Sequence, residues 1–434
     1  MISAAPARDL GSRATMIRSV VFFAIAEASN KAGLIVAALI IAYALGPSEF
    51  GQWSFALAIA GIIGLLSDIG LPQSTVKSIG AGGDPRGLVA NGVAMKLAAS
   101  LVAFAALALF SVASGKPDDV ALTMLILGAG MLATTFAQYV QSIFRAMALT
   151  HIEAMMRIIQ QLLMIAAVIF VMLDDGGIVA YAVACSASAF ASAVVTCAIL
   201  WLFVLPAAPR VDLTAWRVIA RDAWPFWVAT LLWLAYYRID IVLLSYFSDD
   251  TQTGLYNMAY NGFQVLTMPP TVLILALFPS FAHLYAHERP RFFKLRIQAR
   301  NTVIAVAVAV IAVSALVVSP VIDLLLGAEY AGSALLFRVL AGALLFLYPN
   351  YVLMYTLAAA NRQKSVTVAT AVGAAVNVSI NLVMIPLFAA LGAAIATFAT
   401  EAIVFVALTY ASWRAFQAVP SATDEPVALE AIAA

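Results

Sequence analysis

Long uninterrupted runs of apolar residues dominate the chain, and short polar stretches separate them. Each run is near or above the roughly 20 residues that a helix needs to cross a bilayer. The pattern predicts an all-α polytopic membrane protein with twelve membrane-spanning helices, at residues 20–46, 53–71, 91–113, 121–147, 154–173, 178–205, 224–247, 255–281, 301–326, 333–359, 366–388 and 391–413.

The distribution of basic residues predicts the orientation of these helices. Loops that face the cytoplasm retain Lys and Arg, and with both termini inside, most of the 23 basic residues fall in or beside cytoplasmic segments. The outer loops carry acidic pairs instead, and Lys116 is the only base there. We therefore predict a multi-pass membrane protein with a cytoplasmic N-terminal segment (1–19), a cytoplasmic linker (206–223) and a disordered cytoplasmic tail (414–434).

One basic cytoplasmic stretch has two interpretations. Residues 283–300 combine aromatic and aliphatic residues with five Arg or Lys residues. Such a pattern is typical of an amphipathic helix lying on an anionic membrane surface. A solvated basic loop is the alternative.

Composition excludes several classes of protein. Of 434 residues, 64% are hydrophobic and 10% are charged, whereas a soluble domain carries roughly 25% charged residues. The net charge of +1 gives no electrostatic support for a nucleic-acid partner. A helix would separate Cys185 from Cys197 by about 18 Å, beyond disulfide reach. The three histidines form no ligand-spaced cluster, so we expect no metal site.

Short matches between the two halves predict an internal repeat. Gly51–Ala56 and Gly254–Ala259 both read Gly-x-aromatic-x-x-Ala, and further matches pair Tyr139 with Tyr351 and Gly176 with Gly392. Two six-helix bundles, 20–205 and 224–413, would then be related by a pseudo-twofold axis along the membrane normal. Such an arrangement encloses a central cavity suited to alternating access.

Several segments resemble a known transporter family. They are Leu45–Gly51, Leu66–Pro72, Tyr237–Leu244, Gly254–Tyr256, Asn377–Pro386 and Leu391–Thr397, followed by Glu401. Over about residues 20–413 the chain is similar to the polysaccharide-transporter family of the multidrug/oligosaccharidyl-lipid/polysaccharide exporter superfamily.

The resemblance implies a MATE-like fold and a flippase rather than an enzyme. The expected substrate is an undecaprenyl-pyrophosphate-linked oligosaccharide repeat unit, used for O-antigen lipopolysaccharide or exopolysaccharide. The expected partners are this lipid-linked substrate, the bilayer, and the polysaccharide polymerase and assembly proteins. Two alternatives stay open: a multidrug or organic-cation exporter of the same fold, and a lipid II-type flippase. Lipid II flippases of this superfamily have fourteen helices, and no further helix fits after Trp413.

Charged residues at membrane depth are candidates for the functional site, because each costs roughly 2.5–3.5 kcal/mol on insertion scales. We predict that Arg238 and Lys31 bind the pyrophosphate, since guanidinium and ammonium groups suit phosphate oxygens. The full set of predicted substrate-binding residues is Arg238, Lys31, Arg338, Tyr237 and Asn261. Predicted sites of coupling to H⁺ or Na⁺ are Glu401, Asp240 and Glu27, and no other cofactor is expected.

Structural roles compete with each of these predictions. Glu27 and Lys31, at i and i+4, can neutralise each other. Arg238 can pair permanently with Glu27 or Glu401, and Arg338 can snorkel to the membrane interface. Asp68, near the end of its helix, favours a capping or loop-ordering role. Asp240 lies two residues from Arg238 and must therefore face another helix.

Overall fold

The computed structural model describes residues 13–206 and 208–417, and it excludes the side chains of 13–28, 229, 231–238 and 275. All regular secondary structure in these ranges is helical. The helices are α1 (Arg13–Leu66), α2 (Leu71–Gly80), α3 (Pro85–Ala113), α4 (Asp118–Ala146), α5 (Thr150–Leu173), α6 (Ile178–Ile199), α7 (Leu213–Phe247), α8 (Asp250–Leu266), α9 (Met268–His287), α10 (Arg289–Leu326), α11 (Ala331–Gly342), α12 (Leu344–Ala359) and α13 (Gln363–Gln417). A π-helical turn, Leu200–Val204, extends α6, and a 3₁₀ turn, Ala328–Tyr330, precedes α11.

Within the described ranges, nine helical segments are long and apolar enough to cross a membrane. Two of them contain a sharp backbone break near the middle, at Gly46 in α1 and at Ala389 in α13. The predicted helices 20–46 and 53–71 meet at the first break, and 366–388 and 391–413 meet at the second. The polytopic all-α fold is confirmed, whereas the number of twelve spans stays a prediction.

Glycine and proline set the helix breaks. Gly46 has φ 70°, a left-handed value that glycine adopts at little cost, and Pro47 follows it. Ile69 and Gly70 also have positive φ and separate α1 from α2. The predicted helix 255–281 divides into α8 and α9 just before Pro269 and Pro270, which occupy the first turn of α9.

The basic stretch 283–300 is helical apart from Glu288, so the loop interpretation is wrong, and contact of this stretch with a membrane surface stays a prediction. Helix α9 continues to His287, and α10 begins at Arg289 and runs without interruption into the apolar segment. Phe292 is fully buried, with its ring centroid 6.1 Å from Phe281 and 5.7 Å from Phe416. These aromatic side chains give Phe292 a partner within the protein.

The described residues form two compact units. Unit 1 contains residues 13–261 and 323–332, and unit 2 contains 262–322 and 333–417. The core of unit 1 includes the buried side chains of Val93, Tyr139 and Phe144. The predicted bundle boundaries at 205 and 224 stay a prediction.

Candidate functional site

Two helices of unit 1 touch backbone to backbone at a pair of glycines. A methyl group on Gly51 of α1 would lie 1.7 Å from the carbonyl oxygen of Asp250, and one on Gly254 of α8 would lie 2.0 Å from that of Pro47. No real Cβ atom approaches so closely, so this contact requires glycine on both helices. We call Pro47, Gly51, Asp250 and Gly254 the glycine crossing.

The glycine crossing is reciprocal within the repeat. Gly51 and Gly254 are the glycines that open the matched segments, and Pro47 and Asp250 have the same spacing. One turn further on, Asn257 Nδ2 donates to Ser54 Oγ at 2.7 Å, again between residues 203 positions apart. Each helix therefore offers its partner the equivalent positions, as a local twofold axis requires.

Polar side chains surround the glycine crossing. Gln52 Nε2 donates to Asp250 Oδ2 at 3.0 Å. Lys116, the one base of the predicted outer loops, donates from Nζ to the backbone oxygen of Ser245 at 2.7 Å. Its ammonium group also lies 3.9 Å from Asp250 Oδ1 and 4.9 Å from the ring centroid of Phe55. Lys116 is therefore bound within the protein, which explains why it stands apart from the loop charge pattern.

Asp240 connects α7 to the same part of α8. Its carboxylate is buried, accepts the Tyr256 hydroxyl proton on Oδ2, and accepts the Ile241 N–H on Oδ1 at 2.9 Å. Tyr256 neighbours Asn257 in sequence and lies stacked on Tyr260. The expectation that Asp240 faces another helix is confirmed.

Sequence reasoning missed a buried ion pair at the α1–α2 break. Lys96 of α3 is fully buried, and its Nζ lies 2.9 Å from Asp68 Oδ1 and 3.2 Å from Ser67 Oγ. Asp68 thus orders the break between α1 and α2 by pairing with a third helix. The signal was present in the sequence, because Lys96 lies inside the predicted span 91–113.

Glu401 lies within a chain of buried amides in unit 2. Asn350 Nδ2 donates to Glu401 Oε2 at 3.0 Å, Asn377 Nδ2 donates to Thr400 Oγ1 at 3.3 Å, and Asn381 Nδ2 donates to Asn377 Oδ1 at 3.0 Å. A packing hydrogen bond is thus part of the role of Glu401. Its coupling role stays a prediction.

The remaining predicted site residues are not brought together by the described contacts. Arg338 is exposed and donates from Nη2 to Ser319 Oγ of α10 at 2.8 Å. Lys31 and Asn261 are half-buried, on α1 and α8. The side chains of Arg238, Tyr237 and Glu27 lie outside the described residues. Within the described residues, no group of three or more His, Cys, Asp or Glu side chains is placed to hold a metal ion.

Solved structures with this fold are membrane transporters. The chain is similar to an inward-facing multidrug resistance MATE family transporter of the MOP superfamily, with a TM-score of 0.72, 14% identity, and coverage of 92% of this chain and 99% of that one. It is also similar to the lipid II flippase MurJ in an inward closed conformation (TM-score 0.73, 12% identity, 90% and 87% coverage). A third is a MOP superfamily transporter from Pyrococcus furiosus (TM-score 0.63, 15% identity, 92% and 95% coverage).

A comparison of the sequence with protein-family models identifies the family of this chain. The family model described as "Polysaccharide biosynthesis protein" matches residues 17–285, well over half of the chain. The chain belongs to this family, which confirms the resemblance to polysaccharide transporters. No curated protein matches it significantly by sequence.

Proposed function

We propose that the protein is a flippase that moves undecaprenyl-pyrophosphate-linked oligosaccharide repeat units across the bacterial inner membrane, for O-antigen or exopolysaccharide biosynthesis. Both termini would face the cytoplasm, and the protein would work by alternating access rather than as an enzyme. The observation that carries the proposal is the glycine crossing, in a chain that belongs to a polysaccharide biosynthesis family.

A glycine contact suits two helices that separate and come together again during transport. We call the contact between α1 and α8 at the glycine crossing the seam. At Gly51 and Gly254 the two helices meet through backbone atoms, so neither glycine contributes a side chain that must be unpacked when the helices separate. The polar pairs beside the contact, Gln52 with Asp250 and Asn257 with Ser54, satisfy each other when the seam is closed. Water can take over those hydrogen bonds when it is open. The glycine crossing would therefore close the cavity on the side of the predicted outer loops.

The substrate and the coupling ion would bind to charged side chains at membrane depth. Arg238 and Lys31 would bind the pyrophosphate, with Tyr237, Asn261 and Arg338 contacting the rest of the headgroup. Asp240, Glu401 and Glu27 are the proposed sites of coupling to H⁺ or Na⁺. The contact between Asp240 and Tyr256 supports such coupling, because a change of charge at Asp240 would act on the helix that carries Gly254.

Two rival substrates have less support. A multidrug exporter would bind organic cations, for which the cations Lys31 and Arg238 are unsuited. A lipid II-type flippase would carry the same pyrophosphate, but the family match favours a substrate of polysaccharide assembly. The polymerase and other assembly proteins would receive the product on the outer side.

The decisive experiment is complementation of a strain that lacks its own repeat-unit flippase, scored by surface polysaccharide. The first variant carries Ser54→Cys and Asn257→Cys, with Cys185→Ala and Cys197→Ala to remove the native thiols. The two introduced thiols would take the places of Ser54 Oγ and Asn257 Cγ, and the Nδ2 bonded to that Cγ lies 2.7 Å from Ser54 Oγ. We expect export in reducing conditions, loss of export after oxidation, and recovery on reduction.

The matched control carries Ser54→Cys alone in the same cysteine-free background. It should export equally in both conditions. Full export by the crosslinked double variant would disprove the proposal that the seam opens during transport. Failure of the wild-type chain to restore any polysaccharide would disprove the proposal that it transports lipid-linked repeat units.

A further inference from the structure

Helix α13 folds back on itself and leaves a cleft between its two arms. The arms meet at the Ala389 break, and the ends of both, near Gln363 and Gln417, contribute to one cavity of about 570 Å³. The arms are therefore antiparallel. The volume falls within the roughly 300–1,000 Å³ typical of small-molecule sites.

The cleft has apolar walls and a cationic end. Val368 and Val372 line one wall and Ala407 and Ala411 the other, while its charged lining residues are Arg362, Lys364 and Arg414. All three cations are exposed, and no acidic residue lines the cleft.

Several bases of the protein are held in ion pairs with carboxylates. Arg291 pairs with Glu288, and Arg145 with Glu153. Among the described residues, no ion pair involves any of the three cations in the cleft. Within the part of the chain that the structure describes, the cleft thus presents three positive charges and no carboxylate beside an apolar surface.

The cationic end lies at the depth of lipid headgroups. The first arm, residues 363–388, is about 39 Å long at 1.5 Å per residue, against a hydrocarbon core of about 30 Å. Tyr410 and Trp413, both half exposed, lie near this end with ring centroids 6.0 Å apart, and Tyr and Trp are enriched at membrane interfaces. The Arg414 guanidinium lies 5.9 Å from the Tyr410 ring centroid, which fixes one cation beside the cleft.

We propose that this cleft is a binding site for an anionic membrane phospholipid, with the phosphate held by Arg362, Lys364 and Arg414 and an acyl chain lying between the arms of α13. Basic pockets between membrane helices bind anionic headgroups in this way. The site is separate from the glycine crossing, and its occupant is a resident lipid rather than the transported substrate.

The test is native mass spectrometry of the purified full-length chain with dioleoyl phosphatidylglycerol or dioleoyl phosphatidylcholine. We expect one tightly bound phosphatidylglycerol and no equivalent phosphatidylcholine. Each cation near a membrane surface is worth about fivefold in affinity. Arg362→Gln, Lys364→Gln and Arg414→Gln together should therefore weaken phosphatidylglycerol binding by about 100-fold.

A matched control removes the same charge elsewhere. Arg210→Gln, Arg217→Gln and Arg221→Gln together change three exposed cations of unit 1 that do not line the cleft, and this variant should bind phosphatidylglycerol like wild type. An equal loss in the control, or full binding by the cleft variant, would overturn the proposal. Thermal unfolding of each variant in phosphatidylcholine checks its folding, and Arg414→Gln alone replaces the triple variant if that is unfolded.

A last variant separates a lipid from a free phosphate ion. Ala411→Phe fills the apolar part of the cleft and keeps all three cations. We expect it to weaken phosphatidylglycerol at least tenfold, and we expect inorganic phosphate at millimolar concentration not to displace the lipid from wild type. Unchanged lipid binding by Ala411→Phe, together with displacement by phosphate, would make this an anion site and contradict a lipid site.

Discussion

Two close glycine contacts, one in each unit, differ in whether the helical segments that they join can move apart. In unit 2, a methyl group on Gly392 would lie 2.1 Å from the carbonyl oxygen of Met384, eight residues earlier on the other arm of α13. In unit 1, Gly51 and Gly254 approach each other's helices just as closely but lie 203 positions apart. Both contacts exclude a side chain for the same steric reason.

The difference lies in what would have to move to relieve the contact. Gly392 and Met384 flank the Ala389 break, so their backbones cannot separate unless the turn itself unfolds. The helices at the glycine crossing can move apart while each keeps its own hydrogen bonds. The number of residues between the two contacting positions therefore distinguishes a fixed hairpin contact from a contact between helices that can open.

The largest effect on stability is expected at the Asp68–Lys96 pair. This pair shows how much stability unit 1 loses when a purely structural contact is removed. Lys96→Met leaves Asp68 without its buried cation, and breaking such a pair costs about 3–5 kcal/mol in free energy of unfolding. Thermal and chemical unfolding in detergent would measure it. Asp68→Leu in addition should restore part of the loss, and a double variant less stable than Lys96→Met would contradict a structural pair.

At Gly392 we expect a loss of stability. Gly392→Ala forces a methyl group against the Met384 carbonyl in a turn that cannot widen, so we expect about 3 kcal/mol, at the upper end of overpacking costs. The melting temperature in detergent reports it. A melting temperature equal to wild type would show that the hairpin is able to open and would remove the contrast between the two contacts.

At Gly254 we expect a smaller stability effect and a large transport effect. Gly254→Ala holds the two helices apart, so the seam cannot close. Repeat-unit export should fall at least tenfold, which corresponds to about 1.4 kcal/mol, while the free energy of unfolding changes by about 1 kcal/mol or less. Surface polysaccharide and protein abundance in the membrane, measured side by side, separate the two effects. Normal export at normal abundance would rule out a closing role.

Gly61 provides the control with the smallest effect. A methyl group there has no atom within 4 Å, and Gly61 lies inside α1. Gly61→Ala should therefore leave export unchanged and stabilise the helix by about 0.5–1 kcal/mol. Loss of export from this variant would mean that a methyl group at other glycines also blocks transport. A loss of export in Gly254→Ala would then no longer support a closing role for the glycine crossing.

The sequence predicted features that depend on local pattern and missed those that depend on distant partners. Apolar runs were enough to predict the helical segments, but 255–281 was predicted as one helix and its division before Pro269 was missed. Lys96 was overlooked because its partner Asp68 lies in the turn between α1 and α2, 28 residues earlier. The packing of Phe292 was not predicted because its partner Phe416 lies 124 residues later in the sequence. The repeat predicted that Gly51 and Gly254 are equivalent, but no local pattern indicated that they touch.

The reciprocity of the glycine crossing has an evolutionary consequence. When equivalent positions of two repeats contact each other, a separate chain made of one repeat would contact its own copy in the same way, as in a twofold homodimer. Duplication and fusion of such a self-associating half would leave the pattern found here. Fusion also frees the two sides to diverge. The Ser54–Asn257 pair is an example of such divergence, because equivalent positions now hold different residues: the Ser54 hydroxyl accepts a hydrogen bond from the Asn257 amide.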